Sequence, residues 1–284
     1  MGMYRKILVA FDGSDSGVNA LMQAFTLAND EKCWITVANV VPSYEGDLDL
    51  TGVNDIHKTL RHTGEEILSR AKGIAEKERV LIKTVLEEGV PYEKLAEIAE
   101  ADNCGIIVMG RRGKSRIEKA FIGSVTARVI GQSARDVLVV PEHAAIGWKN
   151  ILFATDGSVC SKAAADKAVE FSKAYGADLK VISVVDVPSE FYAEAPKAVE
   201  DLTRKAKGFV ADVRKASESS GIKTSTFVGE GEAYQVITDF AKNEKADVII
   251  LGSHGRTGLK RLLMGSVTEK VIGYAPCPVL IAKS

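Results

Sequence analysis

Short runs of apolar residues alternate with amphipathic stretches along the chain. The apolar runs of the first half predict five strands, near 5–11, 33–41, 80–87, 104–110 and 136–141. The stretches between them have helical periodicity and predict helices near 15–29, 55–78, 91–102 and 122–132. Runs such as ILVAF and GIIVMG are apolar throughout, as expected of strands buried on both faces. The pattern therefore predicts an α/β fold in which helices cover both faces of a parallel sheet.

The second half of the chain repeats the first. KILVAFDGSDS at 6–16 returns as NILFATDGSVC at 150–160, and MGRRGKS at 109–115 returns as LGSHGRT at 251–257. The duplication predicts a second set of strands, near 149–155, 178–185, 222–228, 246–252 and 277–282. Equivalent residues are 144 positions apart early in the repeat and 142 apart later, so two residues are missing after the second strand. We expect two tandem domains, residues 1–143 and 144–284.

Composition narrows the class of protein. The 284 residues suffice for two domains, and 46% hydrophobic with 26% charged residues is typical of a globular chain. The net charge of -1 gives no basic platform for nucleic acid, and no apolar run approaches the roughly 18 residues of a membrane span. The four cysteines are scattered without a C-x-x-C motif, which favours reduced core thiols. We expect a cytoplasmic protein with neither nucleic acid nor membrane as a partner.

A glycine signature occurs once in each half, between a buried strand and an amphipathic helix. Its two copies are Gly110-x-x-Gly113, nine residues, Gly123-Ser124, and Gly252-x-x-Gly255, nine residues, Gly265-Ser266. Glycine lets the backbone approach an anion, and the serine can cap a helix whose first N–H groups face that anion. In one copy the glycines could simply form turns. Two copies with identical spacing favour an anion-binding site.

Other nucleotide-binding motifs do not fit the sequence. A P-loop needs glycine five positions before Gly113, where Val108 stands, and a G-x-G-x-x-G motif is absent. The segment Gly13 to Ser16 is faintly similar to the S-G-G-x-D-S loop of ATP-pyrophosphatase ligases. The second repeat reads DGSVCS and lacks the Asp-Ser ending of that loop, which argues against this interpretation.

Both halves resemble universal stress proteins of the ATP-binding type, over about residues 3 to 283. The nucleotide signature of that family is G-x-x-G, nine residues, G-[ST], preceded by an aspartate at the end of the first strand. Both halves contain every element. The resemblance implies two five-stranded parallel sheets, each in the order 3-2-1-4-5, with ATP across the carboxyl ends of strands 1 and 4. The general rule for open α/β sheets places a ligand at the same point, where the strand order reverses.

The resemblance also implies a set of nucleotide-binding residues. Asp12 and Asp156 would lie near the ribose and adenine, and Val40 and Val184 would offer backbone groups to the adenine edge. The glycine and serine elements would hold the phosphates. With its neighbours, the rest of the set is Gly110, Gly113, Gly123, Ser124, Val125, Gly252, His254, Gly255, Gly265, Ser266 and Val267. The expected ligand is ATP, or ADP or AMP, with Mg²⁺ held mainly by the phosphates.

The two halves differ inside the signature. The second half reads Gly-Ser-His-Gly and is the closer match, whereas the first has Arg111 and Arg112 between the glycines. The loop that follows has a net charge of +3 in the second half, from Arg256, Lys260 and Arg261. In the first half the net charge is +2, from Lys114, Arg116 and Lys119 against Glu118. We therefore expect tighter binding at the second site. Whether His254 contacts phosphate or is solvated stays open.

No general base for hydrolysis stands out. His57, His62 and His143 have no counterpart in the other half, and no H-E-x-x-H motif or carboxylate-rich metal cluster appears. The sequence therefore favours a stress-response protein in which nucleotide occupancy biases shape or partner choice, with no catalytic residue and no metal ligand assigned. A slow ATPase or nucleotide-using enzyme is the alternative. A structural dimerisation module with vestigial sites is disfavoured by two intact signatures.

The fifth strand of each half is predicted to be an apolar sheet edge. These strands lie at 137–140 and 278–281. An apolar edge presents unpaired N–H and C=O groups, and the linkage within one chain favours pairing of the two copies. We therefore expect the halves to form an intramolecular pseudo-dimer through these strands. Association of two chains into a homodimer stays open.

Overall fold

The computed structural model describes residues 2–43, 56–113, 122–255 and 264–283. The chain divides into two compact units. One contains the described residues up to 113 together with Gly123–His143, and the other contains Ile122 and the described residues from Ala144 onward.

The first unit alternates strands with helices among its described residues. Its elements are β1 Lys6–Ala10, α1 Asp15–Glu31, β2 Trp34–Val41, α2 Ile56–Lys77, β3 Ile82–Glu88, α3 Pro91–Ala101, β4 Ile106–Gly110, α4 Ser124–Gln132 and β5 Asp136–Val140. The strands pair in the order β3-β2-β1-β4-β5, and each of these pairings is parallel. The strand order therefore reverses between β1 and β4.

The second unit repeats this arrangement. Its elements are β6 Asn150–Ala154, α5 Val159–Tyr175, β7 Asp178–Val185, α6 Phe191–Glu194, α7 Pro196–Glu218, β8 Thr224–Glu230, α8 Ala233–Asn243, β9 Val248–Gly252, α9 Ser266–Tyr274 and β10 Val279–Ala282. Its strands pair in the order β8-β7-β6-β9-β10, again in parallel. The reversal falls between β6 and β9.

The sequence prediction of an α/β fold with a parallel sheet is confirmed. The predicted strand order 3-2-1-4-5 is found in each unit, but the finer prediction of two separate five-stranded sheets is not confirmed. The expected pairing of the two halves through their fifth strands stays a prediction. The short helix α6 has no counterpart in the predicted pattern.

The central strands are buried on both faces. Ile7, Leu8 and Val9 follow one another along β1, and all three are 0% exposed. Because successive side chains of a strand point to opposite faces of the sheet, both faces of β1 are covered. This explains why β1 is apolar throughout, whereas a strand with one solvated face would alternate.

The four cysteines are free thiols. Cys104 and Cys277 are buried, but Cys33 and Cys160 are only partly buried, so the prediction of core thiols holds for two of the four. Burial raises the pKa of the Cys277 thiol to about 12 and that of Cys33 to about 11, with Glu31 adding to the shift of Cys33. These two thiols therefore stay protonated at neutral pH and are poor nucleophiles.

None of the described helices is both long enough and apolar enough to span a bilayer.

A buried hydrogen bond ties the amino-terminal segment to β5 within the first unit. The hydroxyl of Tyr4 donates to Oδ2 of Asp136 at 2.7 Å, and both residues are buried. Replacing Tyr4 by Phe keeps the ring but removes the donor to a buried carboxylate. We expect the Tyr4→Phe variant to lose about 1–3 kcal/mol of unfolding free energy in urea titrations.

Tyr92→Phe is the matched control. The Tyr92 hydroxyl donates to Oε1 of Glu93 at 3.0 Å in an exposed position, so its loss should change the unfolding free energy by less than about 0.5 kcal/mol. Equal unfolding midpoints for the two variants would contradict the importance of the buried bond.

Candidate functional site

A cavity opens at the reversal of strand order in each unit. In the first unit it has a volume of about 240 Å³ and is lined by the carboxyl ends of β1, β2 and β4 and the first turn of α4. In the second unit it has a volume of about 280 Å³ and is lined by the equivalent parts of β6, β7, β9 and α9. This is the place where open α/β sheets bind ligands.

The residues singled out from the sequence converge on these two cavities. Seven line the first cavity: Asp12, Val40, Gly110, Gly113, Gly123, Ser124 and Val125. Eight line the second: Asp156, Val184, Gly252, His254, Gly255, Gly265, Ser266 and Val267. Their contact with a nucleotide stays a prediction, but the fold brings every member of each set to one place.

The aspartate that follows the first strand is fixed by its own turn. Oδ1 of Asp12 accepts hydrogen bonds from the backbone N–H of Ser14 at 3.0 Å and from its hydroxyl at 2.6 Å. The Ser14 hydroxyl oxygen in turn accepts the N–H of Gly17 and caps α1. In the second unit Oδ1 of Asp156 accepts the N–H of Ser158, which caps α5 in the same way. Each carboxylate is therefore positioned by a helix N-terminus.

The other carboxylate oxygen of each aspartate packs against the glycine loop after the fourth strand. A Cβ at Gly113 would lie 2.6 Å from Oδ2 of Asp12, and a Cβ at Gly255 would lie 2.8 Å from Oδ2 of Asp156. A side chain at either position would displace the carboxylate of the aspartate. Glycine there is what leaves the aspartate in its observed position.

The first glycine of each signature has a different structural role. A Cβ at Gly110 would lie 2.8 Å from the carbonyl carbon of Ser16, and a Cβ at Gly252 would lie 2.8 Å from that of Cys160. Because these neighbours are backbone atoms of α1 and α5, they cannot move aside cheaply. Glycine here allows the helix to pack tightly against the end of the strand.

The last glycine of each signature is not required by the fold. Gly123 and Gly265 have φ values of -64° and -68°, which any residue adopts. A Cβ would find its nearest neighbour at 3.5 Å in the first unit and at 3.4 Å in the second, which is ordinary van der Waals contact. Both glycines line the cavity. The small residue therefore leaves room in the cavity itself.

These glycines also begin the helices, and the expectation that the serines cap them is wrong. Gly123 and Gly265 are the N-cap residues, neither helix start has a side-chain cap, and Ser124 and Ser266 are the first helical residues. The extended backbone that an N-cap needs falls one position earlier than we expected. The first turns of α4 and α9 thus offer backbone N–H groups and the positive end of the helix dipole to the cavity.

Several cavity residues were missed by sequence reasoning. Thr126 and Thr268 donate their hydroxyls to the carbonyls of Gly110 and Gly252, each at 3.1 Å. Asn39 donates its amide to the carbonyl of Phe11 at 2.7 Å. An asparagine inside a largely apolar strand could have indicated from the sequence that this position has a polar contact.

One carboxylate of the second cavity was also missed. Asp186 follows β7, lines the cavity, and accepts the N–H of Ala233 through Oδ2 at 3.1 Å. The equivalent position in the first repeat is Pro42, so the repeat comparison gave no signal. Its place directly after a parallel strand was the one feature of the sequence that could have indicated a cavity residue.

The two cavities differ in the charge that their glycine loops supply. Arg112 lines the first cavity where His254 lines the second, and Nδ1 of His254 lies 3.2 Å from the hydroxyl oxygen of Ser253. Arg111 does not line the first cavity. Burial lowers the pKa of Arg111, and the charge of Arg112 lowers it further. The loop charges predicted at 114–119 and 256–261 lie outside the described residues.

Together, these features define a class of α/β protein with a duplicated parallel unit and a glycine-lined cavity at each reversal of strand order. The universal stress protein family model matches residues 3–141 and again 147–283. The chain therefore belongs to the universal stress protein family, with two tandem copies of the family domain.

Individual relatives match one half or the whole chain. Universal stress protein MJ0531 of Methanocaldococcus jannaschii is 39% identical over 142 residues, which are 48% of this chain and 82% of that protein. Universal stress protein MJ0577 of the same organism is 31% identical over 154 residues, covering 48% of this chain and 95% of that protein. A solved universal stress protein from Archaeoglobus fulgidus covers 98% of this chain and 96% of its own, with a TM-score of 0.75 and 21% identity. The last match supports the fold.

The glycines of one signature should respond differently to the same substitution. Gly252→Ala places a methyl group against the backbone of Cys160, so we expect a loss of about 1–3 kcal/mol of unfolding free energy. Gly265→Ala adds the same methyl group where space exists, and should cost less than about 1 kcal/mol. Urea unfolding of both variants gives the comparison.

Gly110→Ala and Gly123→Ala repeat the comparison in the first unit. The same order of stabilities is expected there, because the contacts are equivalent. A Gly265→Ala or Gly123→Ala variant as unstable as its partner would show that the last glycine is structural.

Proposed function

We propose that each half of the chain, residues 1–143 and 144–284, is an adenine nucleotide-binding domain, and that nucleotide occupancy biases the conformation or the partner binding of a stress-response protein. The observation that carries the proposal is the space at Gly123 and Gly265. At both positions the fold has room for a Cβ, the residue is nevertheless glycine, and the space faces an uncapped helix N-terminus. A bound phosphate group would use that space.

The remaining cavity residues support a nucleotide over a free anion. Val40 and Val184 lie near the carboxyl ends of β2 and β7, on the far side of the cavity from the helix N-termini in the strand order. They would offer backbone groups to the adenine edge. Asp12 and Asp156 follow β1 and β6, which lie in the strand order between the strand of the valine and the strand before the glycine loop. Their carboxylates would accept a hydrogen bond from the ribose.

ATP, or ADP or AMP, is the proposed ligand. The described residues contain no group of three or more His, Cys, Asp or Glu side chains placed to hold a metal ion. The proposal therefore assigns Mg²⁺ mainly to the phosphate oxygens. The backbone N–H groups of α4 and α9 would donate hydrogen bonds to the phosphates rather than contact the metal.

Binding without rapid turnover is the function that the carboxylates support best. A catalytic base must be available to take a proton from water. Oδ1 of Asp12 and of Asp156 accepts the N–H of its own turn, and Oδ2 of Asp186 accepts the N–H of Ala233. These hydrogen bonds fix the carboxylates against backbone, and the proposal gives Asp12 and Asp156 their further contact with the ribose, so none of the three is assigned to activate water. A slow ATPase is the alternative function.

Nucleotide binding is expected at both sites and more tightly at the second. Gly265→Leu should abolish the tighter site because the side chain would fill the space beside the helix N-terminus, and Gly123→Leu should abolish the weaker one. Isothermal titration calorimetry with ATP and ADP, with and without Mg²⁺, measures both affinities.

Each glycine variant is the control for the other, because it should leave the opposite site unchanged. Circular dichroism and urea unfolding verify that each variant is folded. Absence of nucleotide binding to the unmodified protein in every condition would contradict the proposal. So would loss of both sites in either variant while it remains folded.

Hydrolysis should be very slow compared with the roughly 1 to 10³ per second of ordinary enzymes. Released phosphate, followed over hours with purified protein and MgATP, measures it. Turnover near 10 per second that is lost in Asp156→Ala would favour the enzyme instead. Asp186→Asn is a useful comparison, since it removes the other carboxylate of the second cavity and keeps its shape.

A further inference from the structure

Two large apolar side chains are exposed at the amino-terminal ends of adjacent strands in the first unit. Trp34 begins β2 and is 71% exposed, and Leu81 precedes β3 and is 83% exposed. They stand one position before the paired residues Ile35 and Ile82, so they are neighbours across the two strands. The nucleotide cavity lies at the opposite, carboxyl ends of the strands. The proposed function therefore does not account for this pair.

A depression lies on each side of the Trp34–Leu81 pair. One, of about 400 Å³, is floored by Phe25 and Ala28 of α1. The other, of about 370 Å³, is bordered by Lys6 and Thr36. Trp34 and Leu81 line both depressions. The surface is thus an apolar ridge between two hollows, which can accept side chains that project from a partner.

The second repeat shows that the fold does not need apolar residues at these positions. The equivalents of Trp34 and Leu81 are Asp178 and Lys223, and Nζ of Lys223 lies 2.6 Å from Oδ2 of Asp178. An ordinary exposed ion pair thus joins the same two strands in the second unit. The apolar pair of the first unit is a difference between two copies of one fold.

Three cations border this pair in the first repeat at positions that are neutral in the second. Lys6, Lys32 and Arg79 border the two depressions. The second repeat has neutral residues at all three positions, namely Asn150, Gly176 and Gly221. The reverse holds at Thr36, where the second repeat has Lys180, paired with Glu244 at 2.8 Å. Among the residues that the structure describes, none of the three cations is within ion-pair distance of a carboxylate. Lys83, the fourth cation here, is paired with Asp102 at 2.8 Å.

Two of these cations stand at turns whose backbone favours glycine. Lys32 and Arg79 have φ values of 55° and 57°, in the left-handed region. The equivalent glycines, Gly176 and Gly221, have φ values of 63° and 76°. Because a residue with a Cβ is strained in this region, the first repeat carries lysine and arginine where glycine would fit the backbone better. Local backbone preference therefore does not explain these charges.

We propose that this surface of the first unit, the Trp34–Leu81 surface, binds an acidic amphipathic segment of another protein. Apolar side chains of the segment cover Trp34 and enter the two depressions, and its carboxylates pair with Lys32 and Arg79. Charge complementarity selects an anionic partner. The hollows on either side of the ridge favour a polypeptide with projecting side chains over the flat surface of an anionic bilayer. Tryptophan and arginine are also the residues most often found at the centre of protein interfaces.

The second repeat supplies the variants that test this surface. Trp34→Asp with Leu81→Lys installs the ion pair that the second unit carries at the same positions. Lys32→Gly with Arg79→Gly installs the residues that the second unit has at its two turns. Both double variants should fold, because the same fold already accommodates these residues. Thermal unfolding checks this directly.

The probe is a synthetic fluorescent peptide of about 16 residues that alternates Glu with Leu or Phe. Two matched peptides carry Lys in place of Glu, or Ser in place of the apolar residues. Fluorescence anisotropy measures affinity. The emission of Trp34 reports burial at the surface itself, since the other tryptophan, Trp148, is already buried.

We expect the Glu/Leu peptide to bind and to shift the emission of Trp34 to shorter wavelength. Each matched peptide and each double variant should bind at least about tenfold more weakly. Val159→Ser, which alters an equally exposed apolar residue of the second unit, should bind like the unmodified protein. With ATP present, the Gly265→Leu and Gly123→Leu variants should still bind the peptide. Failure of peptide binding is therefore distinguishable from failure of nucleotide binding.

Three results would overturn the proposal. The first is that no peptide binds, or that the Lys peptide binds as well as the Glu peptide. The second is that phosphatidylserine vesicles, but not the peptide, shift the emission of Trp34. The third is self-association in sedimentation equilibrium that the Trp34→Asp, Leu81→Lys variant abolishes, which would identify a second copy of the chain as the occupant.

Discussion

The structure of each unit depends on how the strand-end aspartate is held. Its Oδ1 accepts the backbone N–H of the turn that begins the next helix, and its Oδ2 packs against the glycine loop after the fourth strand. Because the first and fourth strands are neighbours where the strand order reverses, one carboxylate connects two loops that are distant in sequence. Gly113 and Gly255 leave room for this contact, and the cavity opens beside the same carboxylate.

Duplication separates what the fold requires from what each site does. Residues that keep the same contact in both units, such as the serines that cap α1 and α5, maintain the fold. Where equivalent positions of the two units carry different residues, the surrounding backbone is the same. The difference therefore indicates a change in the chemistry of the cavity or surface at that position. Arg112 against His254 changes the charge offered to the cavity, and Trp34 against Asp178 changes the opposite end of the sheet. Two copies in one chain thus act as an internal control for each other.

The sequence was sufficient to predict the strands and helices and to predict which residues meet at the candidate site. The reason is physical. Buried parallel strands are apolar throughout, and their carboxyl ends must meet at one edge, so motifs that follow them are brought together. The sequence failed where one residue decides geometry. Glycine took the N-cap position that we assigned to serine, and Asn39 and Asp186 act through hydrogen bonds to backbone that no periodicity reveals. The exposure of Trp34 was equally hidden, since strand periodicity does not show where a sheet ends.

Under the proposed function, the same aspartate would give nucleotide occupancy a route to conformation. A ligand changes the shape of a protein only as far as it binds two states with different affinity. A ligand group that took a hydrogen-bond position on Asp12 or Asp156 would compete with the contacts to the turn before α1 or α5 and to the glycine loop. The position of both loops would then be coupled to the ligand, while the central strands beneath them, buried on both faces, have little freedom to change. A conformational signal would therefore be carried by the loops at the carboxyl ends of the strands.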